Sequence, residues 1–161
     1  MAARPAPPHH LDPRAKTLWR LNALMEFGVL LAFAVAATWG MNRLDIAWRW
    51  AAIPVVGALL IGAITVGPVP GLRWRQWRYE IGEQEVDLQH GLLTVTRTLI
   101  PMTRIQHVDT RRSPLQRRYG LASVILYTAA GAIEVPALAD DIAGSVRDRI
   151  AELANTRDDL L

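Results

Sequence analysis

The residues of this chain that could do chemistry are few, and the best pair is His107 and Asp109. They lie two positions apart in an alternating polar and apolar stretch. On a strand they would share one face, where a carboxylate can orient an imidazole that acts as a base. No nucleophile or metal-ligand spacing accompanies them. The pair alone therefore does not predict an enzyme.

Three further features of the sequence also argue against a catalytic or metal site. The chain has no cysteine, which excludes thiol catalysis, disulfides and cysteine-based metal sites. His9 and His10 fall in a segment rich in Pro and Ala, where an unstructured surface pair is more common than a metal site. Phosphate-loop, dinucleotide and zinc patterns are missing from the sequence. We predict no catalytic residue, no cofactor and no metal.

The strongest candidate for binding is a cluster of arginines. Its members are Arg97, Arg104, Arg111, Arg112, Arg117 and Arg118, and Asp109 is the one acid among them. A guanidinium binds phosphate or carboxylate with two parallel hydrogen bonds. The cluster therefore predicts contact with a phospholipid headgroup or an acidic partner; the third interpretation is an ordinary solvated surface. The segment from Arg111 to Arg118 is the predicted working face, as a connection at the rim of the domain.

The charge distribution separates this cluster from a nucleic-acid site. Residues 1–78 carry nine Arg or Lys and three acids, whereas residues 79–161 carry nine Arg and twelve acids. The C-terminal half is therefore net acidic, and its arginines lack interleaved aromatic residues. We predict no nucleic-acid partner. The basic half flanks two apolar segments, which suits a membrane surface.

Those segments, within residues 21–72, are the elements that position everything else. Leu21–Met41 has Glu26 as its one charge, and Trp50–Leu72 has no charge. About 20 helical residues cross a hydrocarbon core of roughly 30 Å, and neither segment has a polar stripe. We predict a transmembrane helical hairpin with spans at about 21–41 and 48–67, ended by Gly67–Gly71. The six tryptophans fall at the four predicted boundaries, as interfacial residues do: Trp19, Trp39, Trp48, Trp50, Trp74 and Trp77.

Orientation is predicted from the basic residues beside each span. Arg14, Lys16 and Arg20 precede the first span and Arg73, Arg75 and Arg78 follow the second, against Arg43 and Arg49 between them. Both termini are therefore expected in the cytoplasm. A cleaved signal peptide is the second interpretation of the first span, although its apolar run is longer than usual.

Two features inside the spans have functional and ordinary interpretations. Glu26 is a functional candidate as an intramembrane carboxylate, but it is close enough to the cytoplasmic end to reach headgroups or to pair with Arg20 or Arg78. The small residues Ala32, Ala36 and Gly40 form one row, and Ala58 and Gly62 another. These rows could form a homo-oligomer interface, but packing within the hairpin is the favoured interpretation.

The chain divides into three parts. Residues 1–20 are predicted to be a disordered basic tail, residues 21–72 the membrane hairpin, and residues 73–158 a folded domain. Alternation predicts strands at 79–81, 85–90, 92–100 and 104–110, the last with a bulge. A short helix follows at 114–119, then strands at 124–128 and 133–135 joined by a turn. An amphipathic helix begins at Asp140–Asp141, with Ile142, Val146, Ile150 and Leu153 on one face. The domain is predicted to be a small antiparallel β-barrel or sandwich closed by that helix.

Several motifs in this domain resemble a known family. They are Gly91 after the second strand, Ile100-Pro101, Arg104-Ile105-Gln106-His107-Val108, and Ser113-Pro114-Leu115-Gln116-Arg117-Arg118-Tyr119-Gly120-Leu121. Together they resemble the bacterial pleckstrin-homology-like (PH-like) domains of the YdbS type, whose short members also place two spans before one domain. The resemblance implies an α+β PH-like fold and a membrane-associated, non-catalytic role. No biochemical activity comes with it.

The expected function is accordingly that of a multi-pass cell-membrane protein that holds a PH-like interaction module on the cytoplasmic face. Its expected partner is another membrane protein or a second copy of the chain. The alternative is a module that senses anionic membrane lipid, and a small enzyme is a distant third.

Overall fold

The computed structural model describes residues 5–44 and 48–158. The chain forms two compact units. One consists of Lys16–Leu72, and the other joins Met1–Ala15 to Arg73–Leu161. Each unit has its own packing and is described separately below.

The unit of residues 16–72 is helical. Helix α1 spans Ala15–Arg43 and has 29 residues, which is about 43 Å of helix and more than a hydrocarbon core requires. The second segment consists of α2 (Trp48–Ala51), α3 (Ile53–Val66) and α4 (Pro68–Gln76). From Arg49 to Gln76 it is long and apolar enough to cross a membrane, as α1 also is. The predicted pair of spans is present, with longer helices than the apolar runs alone indicate.

The helix break predicted at Gly67–Gly71 is present, but it interrupts the second helical segment and does not end it. Helix α3 ends at Val66, but α4 begins at Pro68 and continues to Gln76. Proline is tolerated in the first turn of a helix, because its missing N–H would have no partner there. The interruption is therefore one residue long.

The two helical segments contact through small residues, but through only one of the two predicted rows. Ala58 and Gly62 of α3 are buried, and a Cβ atom on Gly62 would overlap the ring of Phe27. Thr38 Oγ1 donates to the carbonyl oxygen of Ala51 at 2.8 Å. Ala32 and Ala36 are exposed. The interpretation of their row as packing within the hairpin is wrong, because Phe27 and the face that buries Ala34 take that role.

The other unit contains two antiparallel sheets. The first has the order β1-β2-β3-β4, formed by His9–His10, Arg78–Ile81, Glu85–Gly91 and Val95–Pro101. The second has the order β5-β6-β7, formed by Ile105–Arg111, Leu121–Thr128 and Gly131–Ala139. Strand β5 carries a register shift between Ile105 and His107, which is the predicted bulge. A 3₁₀ turn, Met102–Arg104, connects the sheets.

Two helices complete this unit. Helix α5 (Pro114–Arg118) connects β5 to β6, and α6 (Asp140–Asp158) follows β7 directly. Helix α6 buries Ala143, Val146 and Ile150 in the core. Ile142 was predicted on that face but is 44% exposed, because Ala143 occupies the inward position in the first turn. The core side of the sheets contributes large buried residues, among them Leu88, Met102, Leu121 and Leu126.

The N-terminal segment belongs to the same unit, so the prediction of a disordered tail is wrong for its described residues. His9 pairs with Tyr79 and His10 with Arg78. Leu11 is 1% exposed, and Trp74 Nε1 donates to its carbonyl oxygen at 2.9 Å. Segment 5–14 thus extends the first sheet by one strand, with a buried leucine to hold it there.

Candidate functional site

The segment between β5 and β6 brings four arginines of the predicted cluster together. Arg111 ends β5, Arg112 follows it, and Arg117 and Arg118 end α5. All four are exposed. We name these four residues the basic rim. The predicted binding face from Arg111 to Arg118 requires these arginines to lie on one segment of the surface, as they do here.

A set of local hydrogen bonds holds the backbone of the basic rim. Ser113 caps α5, since its Oγ accepts from Gln116 N at 3.1 Å while Gln116 Oε1 accepts from Ser113 N at 2.8 Å. The other end of the Gln116 amide donates to Ser123 Oγ of β6 at 2.8 Å, inside the core. Gly120 then has a φ of +64°, the left-handed conformation that commonly ends a helix. The arginines therefore project from a fixed turn.

The charges of the basic rim are mostly uncompensated. Arg112 Nε lies 2.6 Å from Asp140 Oδ1, the first residue of α6. Arg111, Arg117 and Arg118 make no ion pair or hydrogen bond through their side chains with any other described residue. Three guanidinium groups remain available to a ligand.

The structure separates the other two predicted arginines from the basic rim. Arg104 precedes β5, whereas Arg111 ends it, so about 23 Å of extended strand lies between them. Arg97 lies in β4 of the other sheet and binds Asp87 with Nε–Oδ1 and Nη2–Oδ2 distances of 3.0 and 2.5 Å. This bond to the Asp87 side chain raises the pKa of Arg97. Arg97 supports the sheet and is not part of the exposed cluster.

Sequence reasoning missed one member of this surface, Arg14. Its Nη1 atom donates to the carbonyl oxygen of Tyr119 at 3.3 Å, beside the end of α5. The residue immediately precedes α1, and the sequence interpretation used it only as a topological flank. Arg14 reaches this surface because β1 pairs with β2. Strand β1 has two residues, which is too short to show a periodic pattern in the sequence.

The remaining candidates form no site of their own. The His107 ring stacks on Tyr127 with centroids 4.1 Å apart, and its Nε2 lies 4.0 Å from Asp109 Oδ2 with both side chains more than half exposed. Glu26 is an exposed residue of α1 and forms no ion pair with the described residues of its own unit. Within residues 5–44 and 48–158, no group of three His, Cys, Asp or Glu side chains is arranged to hold a metal ion.

The fold defines a class of protein. Two helices that are long and apolar enough to cross a membrane accompany two antiparallel sheets and a C-terminal helix, the arrangement of a membrane-anchored PH-like protein. Residues 25–154 match the family described as Bacterial PH domain. No solved structure gives a significant match.

Two curated relatives agree with that match. The chain is 38% identical over 158 residues to the UPF0699 transmembrane protein YdbS of Bacillus subtilis (strain 168). The aligned residues cover 97% of this chain and 98% of that protein. It is 28% identical over 98 residues to the UPF0699 transmembrane protein YdbT of the same organism, over 60% of this chain and 20% of that protein. The chain therefore belongs to the bacterial PH domain family. The resemblance predicted from the sequence is confirmed, and the protein is a membrane protein with a PH-like fold.

Proposed function

We propose that the protein is a membrane-anchored interaction module whose basic rim docks an acidic segment of a partner membrane protein at the cytoplasmic face. The observation that carries this proposal is the exposed basic rim itself, in which Arg111, Arg117 and Arg118 have no ion pair or side-chain hydrogen bond with another described residue. The spans tether the domain to the bilayer, so the ligands that it meets most often are those at the membrane.

The local structure of the basic rim favours a protein ligand. Hydrogen bonds of Ser113, Gln116 and Ser123 hold the backbone of the turn, so the arginines project from a defined segment that the carboxylates of a partner can approach. The spans already hold the domain at the bilayer, so lipid is present at high effective concentration. Contact with lipid therefore requires little affinity from the domain itself. Four clustered arginines would give more affinity than such contact requires, which favours a protein ligand.

Sensing of anionic lipid is the second candidate function. Anionic lipids attract arginine side chains near the membrane surface, and the spans keep the domain tethered to that surface. The chemistry is shared, because phosphate and carboxylate both accept paired hydrogen bonds from guanidinium. The two candidates predict different results when the charges of the basic rim are removed. A docking module should lose its partner protein, whereas a lipid sensor should lose its binding to anionic lipid.

A non-catalytic role is part of the proposal. The His107 imidazole stacks on Tyr127 at an exposed surface, and Ser123 of the neighbouring β6 is buried and bonded to Gln116. A general base needs a substrate position within hydrogen-bond reach, and an open strand surface encloses none.

The cytoplasmic orientation rests on two observations. Strand β1 precedes the first span and β2 follows the second, yet they pair in one sheet, which favours the same side of the membrane for both. The basic flanks Arg14, Lys16 and Arg20 and Arg73, Arg75 and Arg78 then favour the cytoplasmic side.

The test compares two variants that lose the same number of positive charges. In the first, Arg111, Arg117 and Arg118 of the basic rim become Gln; in the matched control, Arg104, Arg147 and Arg149 become Gln. Both sets are exposed, and the ion pairs of Arg147 and Arg149 are surface pairs of small energetic value. Each protein is purified in mild detergent from membranes of the same cells, and co-purifying membrane proteins are quantified. The pure protein is also mixed with vesicles with and without phosphatidylglycerol.

Loss of a co-purifying protein from the rim variant alone, with unchanged melting, is the expected result. Loss of selectivity for phosphatidylglycerol with unchanged protein recovery would select the lipid candidate instead. Equal behaviour of the two variants in every measurement would mean that the basic rim is a solvated surface, and both candidates would fail.

A further inference from the structure

The turn between β3 and β4 exposes leucines where a turn in water is usually polar. Leu93 is 98% exposed, Leu92 is 38% exposed, and Val95, which begins β4, is 49% exposed. We name Leu92 and Leu93 the leucine tip. Gly91 has a φ of +149°, and a Cβ atom there would overlap the carbonyl oxygen of Thr94. The backbone conformation of this turn therefore depends on glycine at position 91.

The sheet register places the leucine tip at one particular end of the first sheet. Arg78 pairs with Gln89, so β3 returns to the level at which β2 begins. The Trp77 and His90 rings meet edge to face, with centroids 5.2 Å apart. Trp77 directly follows the second membrane-spanning segment, which ends at Gln76. The leucine tip thus lies at the end of the sheet where the chain arrives from the membrane.

The first span leaves from the same end. His10 pairs with Arg78, its ring stacks on Trp74, and five residues later α1 begins at Ala15. Trp74 Nε1 donates to the carbonyl oxygens of Leu11 and Asp12. The first sheet therefore has at one end the leucine tip, both chain connections to the spans, and Trp74 and Trp77, whose residue type favours the membrane interface.

The two ends of this sheet differ in polarity. Residues 88–96, which include the leucine tip, contain no Asp, Glu, Lys or Arg. The opposite turn, between β2 and β3, is acidic, with Glu80, Glu83 and Glu85 around a cleft that also reaches Asp87. An anionic bilayer repels the acidic turn and accepts the apolar one. The apolar end of the sheet is therefore the end at which the chain connects to the two spans.

We propose that the leucine tip inserts into the interfacial layer of the same bilayer that the spans cross, as a third membrane contact of the protein. The occupant of this apolar surface is lipid. Insertion fixes the orientation of the domain at the membrane, because two chain connections alone leave it free to tilt. This inference does not depend on the ligand of the basic rim, which lies on the other sheet.

The absence of cysteine from the chain permits a direct test. Single cysteines replace Leu93 at the leucine tip and Glu83 at the opposite turn, and each carries an environment-sensitive fluorophore. The full-length proteins are reconstituted into vesicles of phosphatidylethanolamine and phosphatidylglycerol, with or without spin-labelled phosphatidylcholine. We expect a blue-shifted emission and several-fold stronger quenching by the spin-labelled lipid at position 93, and quenching by aqueous iodide at position 83.

Quenching of position 93 by iodide and not by lipid would overturn the proposal. Protection of position 93 from both quenchers would also overturn it, because a second copy of the chain would then cover the leucine tip. A third reporter at Thr94 separates insertion from simple proximity. The Leu92→Asn and Leu93→Asn double change should remove lipid quenching at position 94 while the circular dichroism spectrum stays unchanged. Retained quenching there would show that the spans alone hold the turn at the bilayer.

Discussion

Asp87 and Arg97 form an ion pair across two neighbouring strands, with Nη2 of Arg97 2.5 Å from Oδ2 of Asp87. The Asp87 side chain is 6% exposed, and Arg97 supplies its counter-charge in this ion pair. Arg97 also donates through Nη2 to the carbonyl oxygen of Pro5 at 2.8 Å, which ties the N-terminal segment to the sheet. Arg97 therefore links its own edge strand, β4, to the buried carboxylate of β3 and to the N-terminal segment.

Changing Arg97 to Gln should destabilise the domain, because it leaves a buried carboxylate without its counter-charge. The expected result is a clear fall in the thermal midpoint, measured by intrinsic tryptophan fluorescence in detergent. Arg104→Gln, at an exposed position, serves as the control and should change little. Adding Asp87→Asn to Arg97→Gln should recover part of the loss; a double variant no better than the single one would contradict the explanation.

Stability should fall as the pH is lowered below about 6.5, through His90. Partial burial, and secondarily the charge of Arg73, lower the pKa of His90 from its ordinary value. A histidine whose folded pKa is depressed takes up its proton more readily when unfolded, so the unfolded state gains from about pH 6.5 downward until the folded pKa is reached. Thermal midpoints between pH 7.5 and 5 measure this effect. His90→Gln should flatten the dependence in that window, and an unchanged slope in this variant would contradict the explanation.

Helix α6 should depend on Ile150 and not on Ile142. Ile150 is fully buried, and Ile142 is 44% exposed on the same helix. Ile150→Asp buries an unpaired carboxylate and should cost more than about 4 kcal/mol in free energy of unfolding. Ile142→Asp should change it by no more than about 0.5 kcal/mol. Chemical denaturation followed by circular dichroism compares the two, and equal effects would mean that α6 packs differently.

Within the membrane unit, Gly62 should tolerate less than Gly28. A Cβ on Gly62 would overlap the Phe27 ring, while a Cβ on Gly28 meets no atom within 4 Å. Gly62→Leu should therefore lower the thermal midpoint in detergent, and Phe27→Ala should relieve part of that loss. Gly28→Leu tests the exposed small-residue face of α1 instead. A change in oligomeric state on size-exclusion chromatography, without a change in midpoint, would identify that face as a contact between copies.

The predicted orientation can be read from the connection between the spans. Asn42 is exposed near the end of α1, and Ser145 is exposed on α6. A cysteine in place of Asn42 should react with an impermeant thiol reagent added to intact cells, and one in place of Ser145 should react only after the membrane is permeabilised. The chain has no native cysteine, so no background labelling is expected. The reverse pattern would place both termini outside.

The sequence was a good guide wherever one side chain pattern determined the result. Uniform apolarity identified the two spans, and alternation or a short apolar run between turn residues identified six of the seven strands among the described residues. Ser113-Pro114 predicted the start of α5, because its cap and its first-turn proline act locally. The bulge of β5 followed from Ile105 and Val108 being out of phase.

What the sequence could not supply were pairings between distant segments. Strand β1 is two residues long, too short for any periodicity, and its partner lies across both spans. For the same reason, the prediction of one surface cluster from Arg97 to Arg118 is only partly correct. Arg97 and Arg104 are close to Arg111 along the chain, but a buried acid on β3 and the length of β5 remove them from the basic rim. Arg14 joined it from more than a hundred residues away.

The pairing of β1 with β2 also has a consequence for biosynthesis. Its two strands are synthesised before and after the entire membrane hairpin, so the first sheet cannot be completed until both spans have emerged from the ribosome and passed through the insertion machinery. An N-terminus exported to the wrong side would leave β2, Trp74 and the buried face of Leu11 without their partner. Completion of the sheet thus distinguishes a correctly inserted chain from a misinserted one, and quality-control proteases could recognise the unpaired edge.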